Sequence, residues 1–421
     1  MKKTLLCLVT LFSILISFAQ KGKAWREVEK PRFGTEEKIR RSSLPIDYKL
    51  FQFDYQKFVS NLTNVPKRGE FFGKSNVIVS LPSPNGELVD YRIIEASTFE
   101  EPLQQLHPDI RSFAGNAVND PGSVIRFSVS PYNGLNAIVR NSNGSTYIID
   151  PYSMDYKTFI VFDRAKRGNS TGKLVCTTEE AIREFGKGIE GDNSSVLRNA
   201  DDGLLRVFQM AQSCTGEYAN YFGASTAGTA ADQAIVLAAF NATYTRCNAI
   251  FEMDFNSTMQ LIANTTAVIY YNPATDPYSD SSQMGNWNTQ LGNTLQSVIG
   301  NANYDIGHLF GADGGGGNAG CIGCVCSADN SKGRGITSPA DAIPEGDFFD
   351  VDYVAHEIGH QMGGNHTFSF SAENNAVNME PGSGVTIMGY AGITGATDVA
   401  AHSIPIFHAG SIEQITNNIK T

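Results

Sequence analysis

The residues best placed to do chemistry are His356, Glu357, His360 and His366, set in the run His356-Glu357-Ile358-Gly359-His360-Gln361-Met362-Gly363-Gly364-Asn365-His366. On a helix, positions four apart share one face at a rise of about 6 Å, so the imidazoles of His356 and His360 can reach a single ion. Glu357 lies one step round, beside such an ion rather than on it, where a carboxylate can hold a water and take its proton. Gly363 opens the route for a third ligand, because a residue without Cβ can adopt the left-handed conformation that ends a helix and turns the chain sharply. His366 then swings back to the same ion. Three imidazoles leave one tetrahedral position for water, the arrangement of a catalytic zinc site rather than a closed structural one.

The pattern H-E-x-x-H-x-x-G-x-x-H resembles that of the metzincin clan of zinc endopeptidases, whose other mark is a methionine turn beneath the metal. Thr386-Ile387-Met388-Gly389-Tyr390 lies 22 residues after His366 (388 − 366), a spacing that suits such a turn. A methionine there gives the imidazoles an apolar, polarizable floor without binding the ion. With the flanking Asp352-Tyr353-Val354-Ala355, the layout is most similar to the reprolysin (adamalysin-like) branch in a secreted bacterial version, over roughly residues 205–421. Tyr390 departs from that branch: it stands where astacins and serralysins carry a tyrosine that ligates zinc or steadies the transition state, and its other reading is a packing residue beside the cleft. The resemblance implies His356, His360 and His366 as ligands of one Zn2+, Glu357 as general base, and a protein or peptide substrate extended across the cleft. Two rivals stand against it. A catalytically silent adhesion or binding protein on the same scaffold predicts decay of the base or a ligand; a different zinc hydrolase fold would use two histidines and a distant glutamate.

A chain of 421 residues is long enough for two domains, each with its own core. It begins Met1-Lys2-Lys3, continues through an apolar Leu5–Phe18 and reaches Ser17-Phe18-Ala19, which reads as a secretory signal peptide cut after Ala19. That run is too short for a comfortable membrane span, so the expectation is a soluble, secreted protein with no membrane partner. Charge then divides the remainder. Residues 20–204 hold 25 basic and 24 acidic side chains, whereas 205–421 hold 5 and 19. Such an acidic half argues against nucleic acid or anionic lipid as partners, both of which need basic patches. It suits a part-basic propeptide lying against an acidic enzyme, or simply a solvated acidic surface.

The expected organisation is a signal peptide (1–19), a β-rich propeptide domain (20–165), a linker (166–204) and an α/β metzincin catalytic domain (205–421) made of a twisted mixed sheet, an active-site helix and a small C-terminal lobe. Lys21–Arg41 reads as a loose or helical lead-in. Asn76–Leu81, Tyr91–Ala96, Val124–Val129, Leu135–Arg140 and Thr146–Ile149 read as strands between turn signals such as Asn133-Gly134 and Asn143-Gly144. The segment resembles the propeptide that precedes reprolysin-like enzymes, which implies a zymogen. Arg164, Lys166-Arg167 and Arg198 look like exposed cut points for activation. Two linker groups are candidates for the fourth zinc position: Cys176, as in a cysteine switch although Lys173-Leu174-Val175-Cys176-Thr177 matches that motif poorly, and Asp192, as in an aspartate switch.

Past residue 205 the reading is strand Leu205–Gln212, helix Thr229–Phe251, strand Gln260–Tyr271, a more polar helix or a long loop ending helically over Ser282–Ile299, strand Asp305–Phe310 and a flexible loop through Gly314–Gly317. The substrate-binding edge is Ala319–Cys326 or Asp305–Phe310. Asp347, Asp350 and Asp352 suit the start of the motif helix, with calcium as the sharper alternative. His308 is expected on a strand facing solvent or substrate, and Ser411–Lys420 as a closing helix. Cys214, Cys247, Cys321, Cys324 and Cys326 point to disulfides in an exported protein, and their odd number leaves one thiol for Cys176, for a free cysteine or for a partner beyond Thr421.

Overall fold

The structure, a computed structural model, describes residues 24–29, 37–69, 75–168, 175–178, 202–371, 373 and 375–420. The signal segment, Asp192 and Arg198 lie outside them. Among the described residues no helix is long and apolar enough to cross a membrane.

The N-terminal half is one antiparallel sheet of nine strands: β1 Trp25–Val28, β2 Lys49–Phe53, β3 Ile78–Pro82, β4 Leu88–Glu95, β5 Arg111–Ala117, β6 Val124–Ser130, β7 Gly134–Arg140, β8 Thr146–Pro151 and β9 Thr158–Asp163. Their order is β1-β2-β9-β8-β7-β6-β5-β4-β3, so β3 to β9 form an uninterrupted meander. The lead-in expected to be loose or helical is in part the edge strand β1, held because Trp25 stacks on Phe53 and meets Phe159 edge-on. One face of the sheet closes over its own core of Trp25, Phe58, Phe113 and Phe127, with the short helix α1 (Tyr55–Val59) on top.

The C-terminal half carries a six-stranded sheet in the order β10-β14-β15-β13-β11-β12: β10 Val175–Cys176, β11 Arg206–Cys214, β12 Ser257–Leu261, β13 Ile306–Phe310, β14 Gly316–Asn318 and β15 Gly335–Ser338. All neighbouring pairs are parallel except β14 with β15. The stretch expected as strand Gln260–Tyr271 is strand only to Leu261 and then a 3-10 segment over Ala263–Val268, where Thr265 exchanges hydrogen bonds with the backbone of Gln212. The glycine run is likewise ordered: Gly316 and Gly317 are the start of β14, which pairs antiparallel with β15 and lies next to the edge strand β10, and neither Ala319–Cys326 nor Asp305–Phe310 takes that place.

Between the sheets lies the long helix Ala230–Phe255, which follows the short helices α2 (Glu101–Leu106) and α3 (Gly216–Tyr221) and is α4. Thr229 and Asp232 form a capping box at its start, and Asn256 closes it in the left-handed conformation at φ +53°. Buried residues occur on every face of α4, because one side meets the six-stranded sheet and the other the open face of the N-terminal sheet. A single apolar cluster therefore runs from Leu50, Ile110, Ile138 and Phe162 through Phe240 and Phe251 to Ile358 and Met388. Two independent cores were expected; the larger one is shared.

Polar groups cross the same seam. Asn133 donates to the Ala238 carbonyl of α4 at 2.9 Å, and Arg68 grips both Glu252 oxygens at 2.7 and 2.9 Å. Asp347, Asp350 and Asp352 are neither free at a helix dipole nor gathered on a cation. Arg164 pairs with Asp347 at 3.1 Å and also with Asp352, Arg167 lies 3.0 Å from Asp347, and Arg246 joins Asp350 to Asp150. The basic residues of the N-terminal half thus do neutralise acidic ones of the C-terminal half at this seam. Arg164 and Arg167 are 2% and 5% exposed, so neither is the accessible cut point expected of it.

Candidate metal centre

A π-helical turn over Phe348–Val354 runs into α6 (Ala355–Met362), preceded in the chain by α5 (Trp287–Val298). Gly363 ends α6 at φ +119°, and its N–H and that of Gly364 return to His360 and Gly359 carbonyls. That is the left-handed cap the sequence called for, and it brings His366 back over the helix. The three Nε2 atoms then lie 3.2 Å (His356–His366), 3.2 Å (His360–His356) and 3.0 Å (His360–His366) apart.

The outer ring nitrogens decide the tautomers. His356 Nδ1 faces the Ile387 carbonyl at 2.6 Å and His360 Nδ1 the Gly364 carbonyl at 2.7 Å. A carbonyl only accepts, so both Nδ1 atoms carry the proton and both Nε2 atoms present bare lone pairs. His366 Nδ1 meets Glu373 Oε2 at 3.1 Å, which imposes the same choice. Three lone pairs directed at one another are repulsive unless a cation stands among them, and burial adds to the preference for neutral rings, pulling His356 down to about 3. Cys176 Sγ completes the cluster, 3.6 Å from His360 Nε2, and all four ligand atoms fall within 4.8 Å of one another. This donor set can hold one metal ion.

Glu357 lies beside the cluster and is fully buried. Its Oε2 accepts from Thr178 Oγ1 at 3.1 Å; its Oε1 has no nitrogen or oxygen donor against it, while the Cys176 thiol sits next to the carboxylate. Burial pushes the Glu357 pKa up to about 7. Gly317 is what lets this side chain fit: a Cβ there would lie 2.1 Å from Glu357 Oε1.

Cys176 arrives on β10, which pairs in parallel with β14 through Val175 N to Gly315 O at 3.2 Å and Thr177 N to Gly317 O at 2.9 Å. β10 therefore occupies the sheet edge that flanks the histidine cluster. Tyr390 lies over the rings of His356 and His366, with centroids 5.7 and 4.6 Å away, and its hydroxyl reaches the Cys176 carbonyl at 3.4 Å.

The Met388 turn is where the spacing put it. Met388 is fully buried beneath α6, close enough that a Cβ on Gly359 would fall 2.6 Å from its sulfur. Its neighbour Ile387 supplies the carbonyl that orients His356, a role with no mark in the side-chain sequence. Glu380 binds that turn to the His366 loop, accepting from Thr367 and Thr386 hydroxyls and from the Val385 and Thr386 amides. Sequence reasoning missed Glu380, Glu373 and Thr178. It also misplaced His308, which is fully buried rather than facing solvent or substrate, held between Gln361 Oε1 and Thr337 Oγ1 at 2.8 Å each. Gln361, inside the motif, in turn donates to the Gly307 carbonyl at 2.9 Å, so this pair fastens the back of α6 to β13.

Of the cysteines, Cys321 and Cys324 form a disulfide, while Cys214 and Cys247 are buried thiols and Cys326 an exposed one. Cys176 is left unbridged at the metal cluster.

Comparison with known proteins agrees with this geometry. No curated protein matches the chain. The family model described as metallo-peptidase family M12B, reprolysin-like, matches residues 205–419, from the start of β11 to the last turn of the closing helix α7 (Ala409–Ile419). With the histidine cluster inside that span, the chain belongs to the M12B reprolysin-like metallopeptidases.

Proposed function

We propose that the protein is a secreted zinc endopeptidase made as a zymogen, in which His356, His360 and His366 hold the ion, Glu357 is the general base and Cys176 occupies the fourth position until activation. The observation that carries this reading is the forced tautomer set, three Nε2 lone pairs meeting 3.0–3.2 Å apart. Nitrogens tetrahedrally bound to zinc at ordinary lengths stand about 3.3 Å apart, and a thiolate sulfur about 3.5 Å from each of them. The 3.6 Å from Cys176 Sγ to His360 Nε2 fits the second of these.

When bound, the ion would polarise a scissile carbonyl and acidify a water. Glu357 contributes the proton transfers: Oε1, free of nitrogen and oxygen donors, accepts from the water and then hands the proton to the leaving amine. Ile387, Gly364 and Glu373 fix the rings so that no reorientation precedes binding. A protein or peptide substrate adds to β14 in the place that β10 holds, so the linker strand must leave first. The propeptide is in this reading its own chain's first partner. Export rests on the N-terminal pattern and on the disulfide, which suits an oxidising compartment.

The test is metal analysis and casein cleavage on the purified chain before and after removal of the N-terminal half. Glu357→Gln should retain about one zinc per chain and lose turnover by orders of magnitude. Normal cleavage by that variant would remove the assignment. The silent-scaffold reading requires a lost base or ligand, and all four residues are in place.

A further inference from the structure

The face of the N-terminal sheet turned toward α4 is not filled everywhere. Strand register gives two adjacent cross-strand rows there: Ile94–Ala114–Arg126–Ile138, and beside it Arg92–Asn116–Val124–Arg140. Ala114 is small where its row-mates are large, and a cavity of about 530 Å³ opens over this part of the sheet. Its roof is the last turns of α4, with Ile250, Glu252 and Met253, and its rim includes Leu205 and Pro405. The volume falls in the range of small-molecule sites, and none of the metal-cluster residues lines it.

Among the described residues the charges in the cavity do not balance: Arg68, Arg92, Arg126 and Arg140 line it, against one carboxylate, Glu252. Arg68 takes both oxygens of Glu252, and Arg140 reaches Asp254 only at 4.0 Å. Arg126 is 4% exposed. It lies 3.4 Å from Glu252 by its Nη2 and gives the Ala96 carbonyl a long 3.4 Å bond by Nη1, yet its Nε and Nη2 protons have no hydrogen-bond acceptor. A buried guanidinium with two donors lacking an acceptor is costly, and Glu252, 3.4 Å away with both oxygens already held by Arg68, answers Arg126 only in part. Burial outweighs the help of Glu252 and draws the Arg126 pKa down to about 10.

We propose that this cavity is a binding site for a small amphipathic organic anion, a medium-chain carboxylate in its simplest form, with the oxyanion on Arg126 and the hydrocarbon body along Ile94, Ile138 and Ile250. An inorganic anion leaves the isoleucine walls bare, and a neutral lipid leaves Arg126 unanswered; only a molecule with both parts meets both. Floor and roof come from the two halves of the chain, so the site exists only while they are docked.

The experiment is calorimetric titration of octanoate into the full chain carrying Glu357→Gln, which keeps it uncut. One saturable site per chain is expected, with n-octanol and inorganic phosphate each weaker by about tenfold or more. Arg126→Met keeps side-chain length and loses the charge; Ala114→Leu keeps every charge and fills the floor. Each should weaken octanoate about tenfold or more, and if one variant does not fold, the other decides. Absence of saturable octanoate binding, equal affinity for octanol or phosphate, or full affinity in a folded variant would overturn the proposal.

Discussion

Replacing Arg164 by Met tests whether the two halves are held by their buried ion pairs. Arg164 is fully enclosed and contacts Asp347, Asp352 and the Ser403 carbonyl, so its loss strands groups that water cannot reach. Breaking a buried pair from one side costs about 3–5 kcal/mol. Two features of the seam place the expected loss at the lower end. Burial alone would raise Asp347, but Arg167 and Arg164 together hold it below the usual carboxylate range, and Arg167 would remain. At Asp352 burial already outweighs Arg164 and raises the pKa, so this carboxyl can take a proton instead of standing charged and alone. The expected loss is therefore about 3 kcal/mol, a factor of roughly 150 in the folding equilibrium. Urea unfolding of the full chain in the Glu357→Gln background measures it. The double variant Arg164→Met, Asp352→Asn should recover part of the loss, because the carboxylate left behind is removed as well. A loss under about 1 kcal/mol, no larger than for an exposed pair such as Arg206–Asp202, would refute the reasoning.

Two further predictions concern α6. His308 is buried neutral with its pKa lowered to about 4, so between there and the ordinary 6.5 the unfolded chain binds a proton that the folded chain refuses; stability is full above about 6.5 and falls with acid, by about 2 kcal/mol at pH 5 relative to pH 7. Urea midpoints at the two pH values should show that slope shrinking by this amount in His308→Asn, and an unchanged slope would discard the assignment. Gly317→Ala should leave zinc content intact and cut kcat of the activated enzyme about a hundredfold, since the new Cβ displaces the Glu357 carboxylate; turnover within about twofold of the parent would show that β14 yields freely.

That His356, His360 and His366 come together was legible in the sequence because the geometry is local: three histidines within eleven residues, on one helix and one glycine turn, set their own positions. The groups that orient those ligands were not. Ile387 and Gly364 act through carbonyls that every residue possesses, and Glu373 is one acidic residue among many. His308 was misread for a related reason: a buried imidazole satisfied by Gln361 and Thr337 needs partners 53 and 29 residues away, which no local pattern announces. The glycines at 314–317 read as a flexible loop from composition, whereas at Gly317 what counts is space for a neighbour's carboxylate. Strand β5, Arg-Ser-Phe-Ala-Gly-Asn-Ala, carries little β propensity and is held by paired neighbours on both sides.

In the proposed zymogen, latency has two separable supports, and they fail differently. The thiol of Cys176 and the β10 pairing block the cleft through four described residues, 175–178, which a cut in the linker can free. The shared core and the Arg164–Asp347–Arg167 lattice are untouched by such a cut, because their residues all lie at or before 167 or after 202 and do not depend on chain continuity. Severing the linker should therefore expose the metal cluster while the N-terminal sheet stays docked on α4. Cys176→Ala separates the two supports: the uncut chain should gain measurable peptidase activity, yet run as one compact species with an unchanged urea midpoint. A variant that instead lost several kcal/mol, or stayed silent even after the linker was cut, would mean that the thiol holds the fold rather than the latch.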